Sequence, residues 1–464
     1  MSVPNIVNVE KFEILPSNQP ANNTYSFHEG NPIITITIPS QAKYLRPQSL
    51  RINGTLRINN SDRTICNNNA CSSLAQSDIR LNSRVGVHSV FQNVVLSSEA
   101  TNQSLEAIRQ YGRLVSCILS STHSEQDLMS EKSNVAIMNG LDDASGNLVN
   151  NEVRFSIPLY CGMLQSGESI PLSQNGINGL NIQLELASDQ QVLKGSVAFP
   201  SQNVEATPLG VSAQSGSFYQ IKDVSVSGDL LVPDDAGQQK LSVSGSGQFQ
   251  YNSYSSLYSV INSNDSTQTY NLSSSQVLSV FHTFLPVSFS NNYNQDAFEN
   301  GELLNTNGAG TVYDSPTILK KVSFSRGGVK LGLDYEIDCE NNSLEGLPES
   351  QVMMNYLNAF QDFSVSSRMI NNRQLLGYGG KELKPYNDVM TKERAVGIDN
   401  DVKRNFGIGL AMDRVSDVGM SFKGQSYATR IVSNLDGKSP NAVFTFVLSK
   451  NTLQYSPNGI MISS

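Results

Sequence analysis

Residues 180–186 read Leu-Asn-Ile-Gln-Leu-Glu-Leu, so that Leu180, Ile182, Leu184 and Leu186 alternate with Asn181, Gln183 and Glu185. Successive side chains of a β-strand point to opposite faces, and strict alternation therefore places the aliphatic groups on one side and the polar groups on the other. This is the pattern of a strand buried on one face; a helix would scatter the same residues around its circumference. Residues 33–38, IITITI, repeat the pattern before Pro39 stops the run. Residues 49–58, SLRINGTLRI, repeat it again, with Leu50, Ile52, Leu56 and Ile58 opposite Arg51, Asn53 and Arg57. Gly54 falls on the apolar face, where it marks a bend or a close approach of another segment.

From these anchors the pattern extends along the chain. Strands are expected at 87–96, 153–159, 221–226, 241–249, 276–287, 318–324, 329–337 and 442–448. Over 104–120, Leu105, Ile108, Val115, Ile118 and Leu119 recur at spacings of three, four and seven, which predicts an amphipathic helix despite the unfavourable Gly112. A shorter helical stripe, Val352, Met353, Tyr356, Leu357 and Phe360, is expected over 351–360. The polar, proline-bearing residues 1–30 read as an extended arm. A Ser/Gly/Gln-rich stretch near 196–220 reads as a boundary, dividing the chain into a first domain over 31–215 and a second over 216–464. Each half presents strands, a strand run beside a helix, and a closing alternating strand, which suggests a duplicated domain. The fold class expected is all-β: two consecutive eight-stranded jelly-roll sandwiches with a few short helices in connecting loops.

Composition agrees. Charged residues make up 16% of the 464, below the ordinary quarter, and Ser, Asn and Gln take their place, which suits a β-protein with neutral polar surfaces. Net charge is −9 with no dense Lys/Arg cluster, so direct nucleic-acid binding is not expected. The N-terminus lacks the apolar core of a signal peptide, and no apolar run reaches the roughly 20 residues of a transmembrane segment. A protein made in soluble form inside the cell is expected. Of the five cysteines, Cys66 and Cys71 are close enough to bridge, but Cys66, Cys71, Cys117, Cys161 and Cys339 are too scattered for a disulfide framework and read as free thiols. Asn53-Gly54-Thr55 and Asn271-Leu272-Ser273 match a glycosylation triplet and read as chance in an Asn/Ser-rich chain.

No constellation supports catalysis. His28, His88, His123 and His282 lie far apart and form no metal-binding spacing. His88 and His282 sit in strand runs, where a hydrogen-bonded core histidine is the simpler reading. Gly437-Lys438-Ser439 lacks the earlier glycine of a phosphate-binding loop, having Val432 in its place, and the run 377–381 has no helix after it. Asp334, Glu336 and Asp338 share one strand face and read as solvated. Tyr251, Tyr254 and Tyr258 could form a sugar-stacking platform, but tyrosines are common in β-proteins. A glycosidase would need a carboxylate pair roughly 5–9.5 Å apart, which sequence does not show. Accordingly no catalytic, cofactor-binding or metal site is expected, and no cofactor.

The texture and element order from about residue 30 onward resemble the double jelly-roll major capsid proteins of eukaryotic double-stranded DNA viruses, of the Polinton-like virus and virophage type. The resemblance rests on residues 37–58 (TIPSQAKYLRPQSLRINGTLRI), on VHSVFQNVVLSS (87–98) leading into LEAIRQYGRLV (105–115), and on FSIPLYCGMLQSGESIPL (155–172) with GLNIQLELA (179–187). It is completed by FTFVLSKNTLQYSPNGI (444–460). It implies a homotrimer presenting six similar modules, a hexon-like capsomer that tiles an icosahedral capsid beside neighbouring capsomers, penton and minor capsid proteins, with the protein located in the virion. A reading of a different class is a β-sandwich carbohydrate-binding surface protein, a lectin or adhesin.

Overall fold

The computed structural model describes residues 5–60, 79–81, 85–122, 152–165, 168–173, 176–195, 217–242, 247–287, 290–291, 297–298, 318–336, 358–360, 407–412, 419–434, 440–456 and 459–463. Outside them lie Cys66, Cys71, His123, Asp338, Cys339, the run 377–381, the turn 437–439, and all of the helix expected over 351–360 except 358–360.

The chain opens with β1 (Ile6–Ile14), β2 (Thr24–Tyr25), β3 (Ile33–Ile38), β4 (Tyr44–Leu45), β5 (Arg51–Asn60) and β6 (Ile79–Leu81). Then come β7 (Phe91–Ser98), β8 (Ser104–Arg109), α1 (Tyr111–Thr122), β9 (Glu152–Pro158), α2 (Gly162–Gln165), β10 (Ile170–Pro171), β11 (Leu180–Leu186), α3 (Asp189–Val192), β12 (Leu193–Gly195), β13 (Ser217–Pro233) and α4 (Asp235–Ser242). One sheet runs β8–β7–β11–β3. The other runs β9–β5–β13–β4–β10, with β1 and β2 also paired to β13. The alternating strands bury as their pattern requires: Ile34, Ile36 and Ile38 of β3 and Leu180, Ile182 and Leu184 of β11 are fully buried, paired antiparallel with Leu180 opposite Ile38. The buried hydroxyl of Tyr219 on β13 crosses between the layers, donating to the carbonyl of Ala187 just beyond β11 at 2.5 Å. Gly54 is a close approach, since a Cβ there would stand 2.8 Å from the ring of Phe155 on β9.

The second sandwich is built from β14 (Gly247–Ile261), β15 (Asp265–Tyr270), β16 (Val277–Pro286), β17 (Ile318–Arg326), β18 (Val329–Glu336), β19 (Gly407–Ala411), β20 (Tyr427–Asn434), β21 (Asn441–Ser456) and β22 (Gly459–Ser463). Four strands, β15–β20–β17–β18, form one sheet; β19–β16–β21–β14 form the other, with β22 on β21. In β16 and β21 the near-continuous apolar runs are buried on both faces, residues 277–285 and 441–449. A strand loses its alternation when both of its faces are covered. One face carries His282 and Thr445, opposite each other in register, against Tyr427 and Thr429 of β20. The other carries Phe281, paired with Phe446, and is turned toward the first sandwich.

Several expectations need correction. The strand expected over 87–96 begins only at Phe91, because Gly86 takes a left-handed φ of 65° and residues 86–90 coil into a buried 3-10 turn. The helix expected from 104 is strand β8 up to Arg109, paired with β7; the chain then turns at Gln110, φ 59°, into α1. Leu105 and Ile108 thus belong to a strand, and their spacing of three coincided with the helical stripe that follows. The strand expected over 241–249 starts at Gly247, since α4 occupies residues 235–242 and is capped by the Asp234 carboxylate accepting the Gly237 N–H at 2.8 Å. Within the expected arm, Ile6–Ile14 is a strand paired with residues 226–233. The expected boundary lies between 215 and 216. β13 follows it, yet pairs with β5 over residues 217–227 and so completes the first sandwich. A polar composition marks a connection, and the strand after it returned to the sheet it had left.

Candidate functional site at the joint of the two sandwiches

The sheets β8–β7–β11–β3 and β19–β16–β21–β14 are one continuous path, linked where Ala107 of β8 bridges Ser255 of β14 in parallel. A single bridge is a weak link, and the side chains around it supply the rest. The Tyr251 hydroxyl on β14 donates to the Leu105 carbonyl at 3.0 Å. Glu106, 3% exposed, accepts three main-chain N–H groups: Gly162 at 2.8 Å and Tyr254 at 2.7 Å on Oε1, Met163 at 3.0 Å on Oε2. Burial pushes its carboxyl up to about 7, against those three donors, which favour the charged form. The chain at Gly162 runs against the second sandwich so closely that a Cβ would meet the Asn252 carbonyl oxygen at 2.8 Å and Ser253 Cα at 2.9 Å.

Helix α1 makes the second contact. Arg113, 1% exposed, sends Nη1 to the Ala297 carbonyl at 2.8 Å and Nη2 to the Phe284 carbonyl at 2.9 Å, while its guanidinium carbon lies 4.7 Å from the centre of the Phe444 ring. The planar fork of arginine suits two separate carbonyls and an aromatic face at once. Beside it, a Cβ on Gly112 would stand 2.7 Å from the ring of Phe298, so the residue that weakens the helix locally is the one that lets the second sandwich approach. Arg113→Lys keeps the charge but cannot bridge both carbonyls. It is expected to cost about 2–4 kcal/mol, measurable by urea unfolding followed by tyrosine fluorescence.

Tyr111 ties the joint to the first core. Its hydroxyl accepts the Tyr160 N–H at 3.0 Å and lies 3.3 Å from His88 Nδ1, and burial raises its pKa well above the ordinary tyrosine range. Tyr111→Phe leaves the buried Tyr160 N–H without this acceptor, and a loss of about 1–3 kcal/mol is expected, read by the same unfolding measurement.

The residues singled out in the sequence do not converge. His28 stacks on Phe218 with ring centres 4.6 Å apart; His88 lies in the 3-10 turn; His282 is inside the second sandwich. His282 is held between Thr445 at 2.8 Å and Tyr427 at 2.9 Å, and burial lowers its pKa to about 3. Tyr251 and Tyr254 are buried while Tyr258 is 56% exposed, so the three tyrosines make no shared platform. Cys117 and Cys161 are buried thiols, neither of them in a disulfide. Asp334 and Glu336 fall in β18. Among the described residues no group of three potential metal ligands occurs, and no helix is long and apolar enough to cross a membrane. Glu106 and Arg113 escaped sequence reading because the partners that hold them are chiefly main-chain atoms 56 to 184 positions away. The available signal was a charged residue embedded in each apolar run, LEAI and GRLV.

No protein-family model matches the chain, and no curated protein matches it in sequence. Solved structures do. The capsid of the virus PBCV-1 aligns at 12% identity and a TM-score of 0.55, covering 100% of this chain and 98% of that one. The Faustovirus major capsid protein aligns at 9% identity and 0.55, covering 98% and 92%, and the mavirus major capsid protein at 10% and 0.50, covering 100% and 92%. Alignment over nearly the full length of both chains gives this chain the double jelly-roll fold of those viral capsid proteins.

Proposed function

We propose that the chain is a structural major capsid protein, three copies of which form a pseudo-hexameric capsomer that tiles an icosahedral shell of a double-stranded DNA virus. The observation that carries this reading is the joint: one chain holds two similar sandwiches in a fixed relation through a shared sheet, Glu106 and Arg113. Three such chains around an axis present six similar modules, which fit a hexagonal lattice. We take the first module to run through α4 and the second to begin with β14. The edge strand β1 leaves Ile6, Val7 and Val9 exposed, Val7 at 70%, as does the β17–β18 turn with Val329 at 71%. Apolar groups left uncovered in one copy are natural contacts for another, and obligate interfaces of this kind bury more than ~2,000 Å². Neighbouring capsomers, penton and minor capsid proteins complete the partner set. The net charge of −9 favours DNA held behind another layer.

Light scattering behind size exclusion, with the peak imaged on a grid, tests the proposal. A particle near three times 50.5 kDa with pseudo-hexagonal outlines is the expected result. A monomer at every concentration would overturn the trimer and turn attention to a glycan array.

A further inference from the structure

Strand β1 is a sheet edge. Among the described residues its ladder partner is β13, and the Val9 N–H bonds instead to the Asn8 side chain at 2.8 Å. The main-chain groups of alternate residues in an antiparallel strand point to alternate sides, so those of Val9, Lys11, Glu13 and Leu15 point outward together. Their side chains share the outer face as well. Val9 is 48% and Leu15 57% exposed, and Lys11 and Glu13 are exposed too, whereas Phe12 and Ile14 pack against the core. Neither a proline nor a bulge, the usual guards of such an edge, interrupts residues 8–14. The Lys11 ammonium makes no ion pair among the described residues, since Asp229 opposite it faces Arg46 at 3.7 Å. Glu13 accepts the Ser225 hydroxyl on Oε1 at 2.6 Å, which leaves Oε2 for another donor.

The outward groups sit at odd positions only, so two antiparallel copies of this edge can meet only odd to odd. One such register, with its two-fold axis at Phe12, sets Lys11 of each copy against Glu13 of the other and Val9 against Leu15. The next register on one side sets Lys11 against Lys11, and the next on the other side sets Glu13 against Glu13. Like charges directly opposite destabilise a pair and opposite charges favour it, so the charge pattern selects the first register. We propose that β1 is a self-recognition edge, pairing antiparallel with β1 of a second copy in this register and joining the two β13-containing sheets into one. Glu10, then opposite Ile14 of the other copy, is already balanced by Lys43 at 2.5 Å. The ladder ends at Leu15, because Pro16 is buried and the Ser17 N–H is taken by the Thr35 carbonyl at 2.8 Å. A two-fold pair cannot close a ring of three. Its place, which rests on the trimer reading above, is therefore between one trimer and the next.

Two full-length variants, Lys11→Cys and Glu13→Cys, mixed and mildly oxidised, test the pairing. Opposite residues of a hydrogen-bonded pair lie about 5.5 Å apart at Cα, within the roughly 4.4–6.8 Å that a disulfide spans. The mixture is expected to give a disulfide-linked dimer, with the bond between positions 11 and 13 located by mass spectrometry, that neither variant nor the wild type gives alone. Val9→Pro removes an outward N–H and leaves the ladder to β13 intact. Sedimentation velocity is expected to show its association into paired particles weakened about tenfold or more relative to the wild type. A mixture that links no better than the separate variants would overturn the pairing, as would unchanged association in Val9→Pro; trimers that persist in either case would leave the capsid reading standing. Linked pairs of single chains, with no trimer at any concentration, would support the pairing and overturn the trimer.

Discussion

Gly162→Ala is expected to wedge the joint open. The added Cβ would lie 2.8 Å from the Asn252 carbonyl oxygen and 2.9 Å from both its carbon and Ser253 Cα. These are main-chain atoms of β14, a strand locked along its length to β21, so no side chain can swing aside. Either α2 retreats, breaking the Gly162 and Met163 bonds to Glu106, or the two sandwiches separate slightly. Overpacking of this kind costs roughly 1–3 kcal/mol, and losing hydrogen bonds to a buried carboxyl adds about 1–3 kcal/mol. Differential scanning calorimetry is expected to show one transition for the wild type and, for the variant, a lower one that splits as each sandwich melts apart from the other. Gly54→Ala is the control. There the crowding atoms belong chiefly to the Phe155 ring, which can shift, and a smaller, unsplit change is expected. A variant at Gly162 that melts like the wild type would show that the joint has slack the packing does not reveal.

The second large effect is acid lability of the second sandwich. His282 is neutral and fully buried, with its pKa lowered by burial from 6.5 to about 3. The unfolded chain takes up the proton near 6.5 and the folded chain does not. Stability is therefore unaffected above 6.5 and falls progressively as pH drops toward 3. At pH 4 the loss amounts to about 3 kcal/mol. In His282→Leu the acid-dependent loss should shrink markedly. The Tyr427 and Thr429 hydroxyls still bond each other at 2.9 Å, and Thr445 still reaches Tyr270 at 3.2 Å, so the substitution is survivable near neutral pH. Urea unfolding of both proteins at pH 4, 5, 6 and 7.5 measures the slopes. Equal slopes would assign the acid effect to other groups.

The sandwich strands buried on one face were legible residue by residue. Residues 33–38 and 180–186 were placed to their ends, and of the two readings left open for Gly54, a bend or a close approach, the structure shows the close approach. Difficulty arose where two signals coincided. Leu105 and Ile108 fit a helical stripe only because a real helix begins at Tyr111, six positions after Leu105. Gly112 looked like a defect in that helix and proved to be the clearance for Phe298. His282 was rightly read as a satisfied core histidine, because a histidine in an apolar strand has few other stable settings.

Local periodicity was enough to establish a β-protein of alternating strands, because one-sided burial imposes a period of two within a few residues. The sandwich to which β13 belongs was decided only in three dimensions, by its pairing with β5 about 170 positions earlier. The joint was likewise tertiary. Glu106 and Arg113 act on carbonyls and amides supplied by the main chain of distant segments, and every residue type carries those groups alike. A side chain whose partner is backbone leaves no mark on its partner's sequence, so only the folded chain reveals the pair.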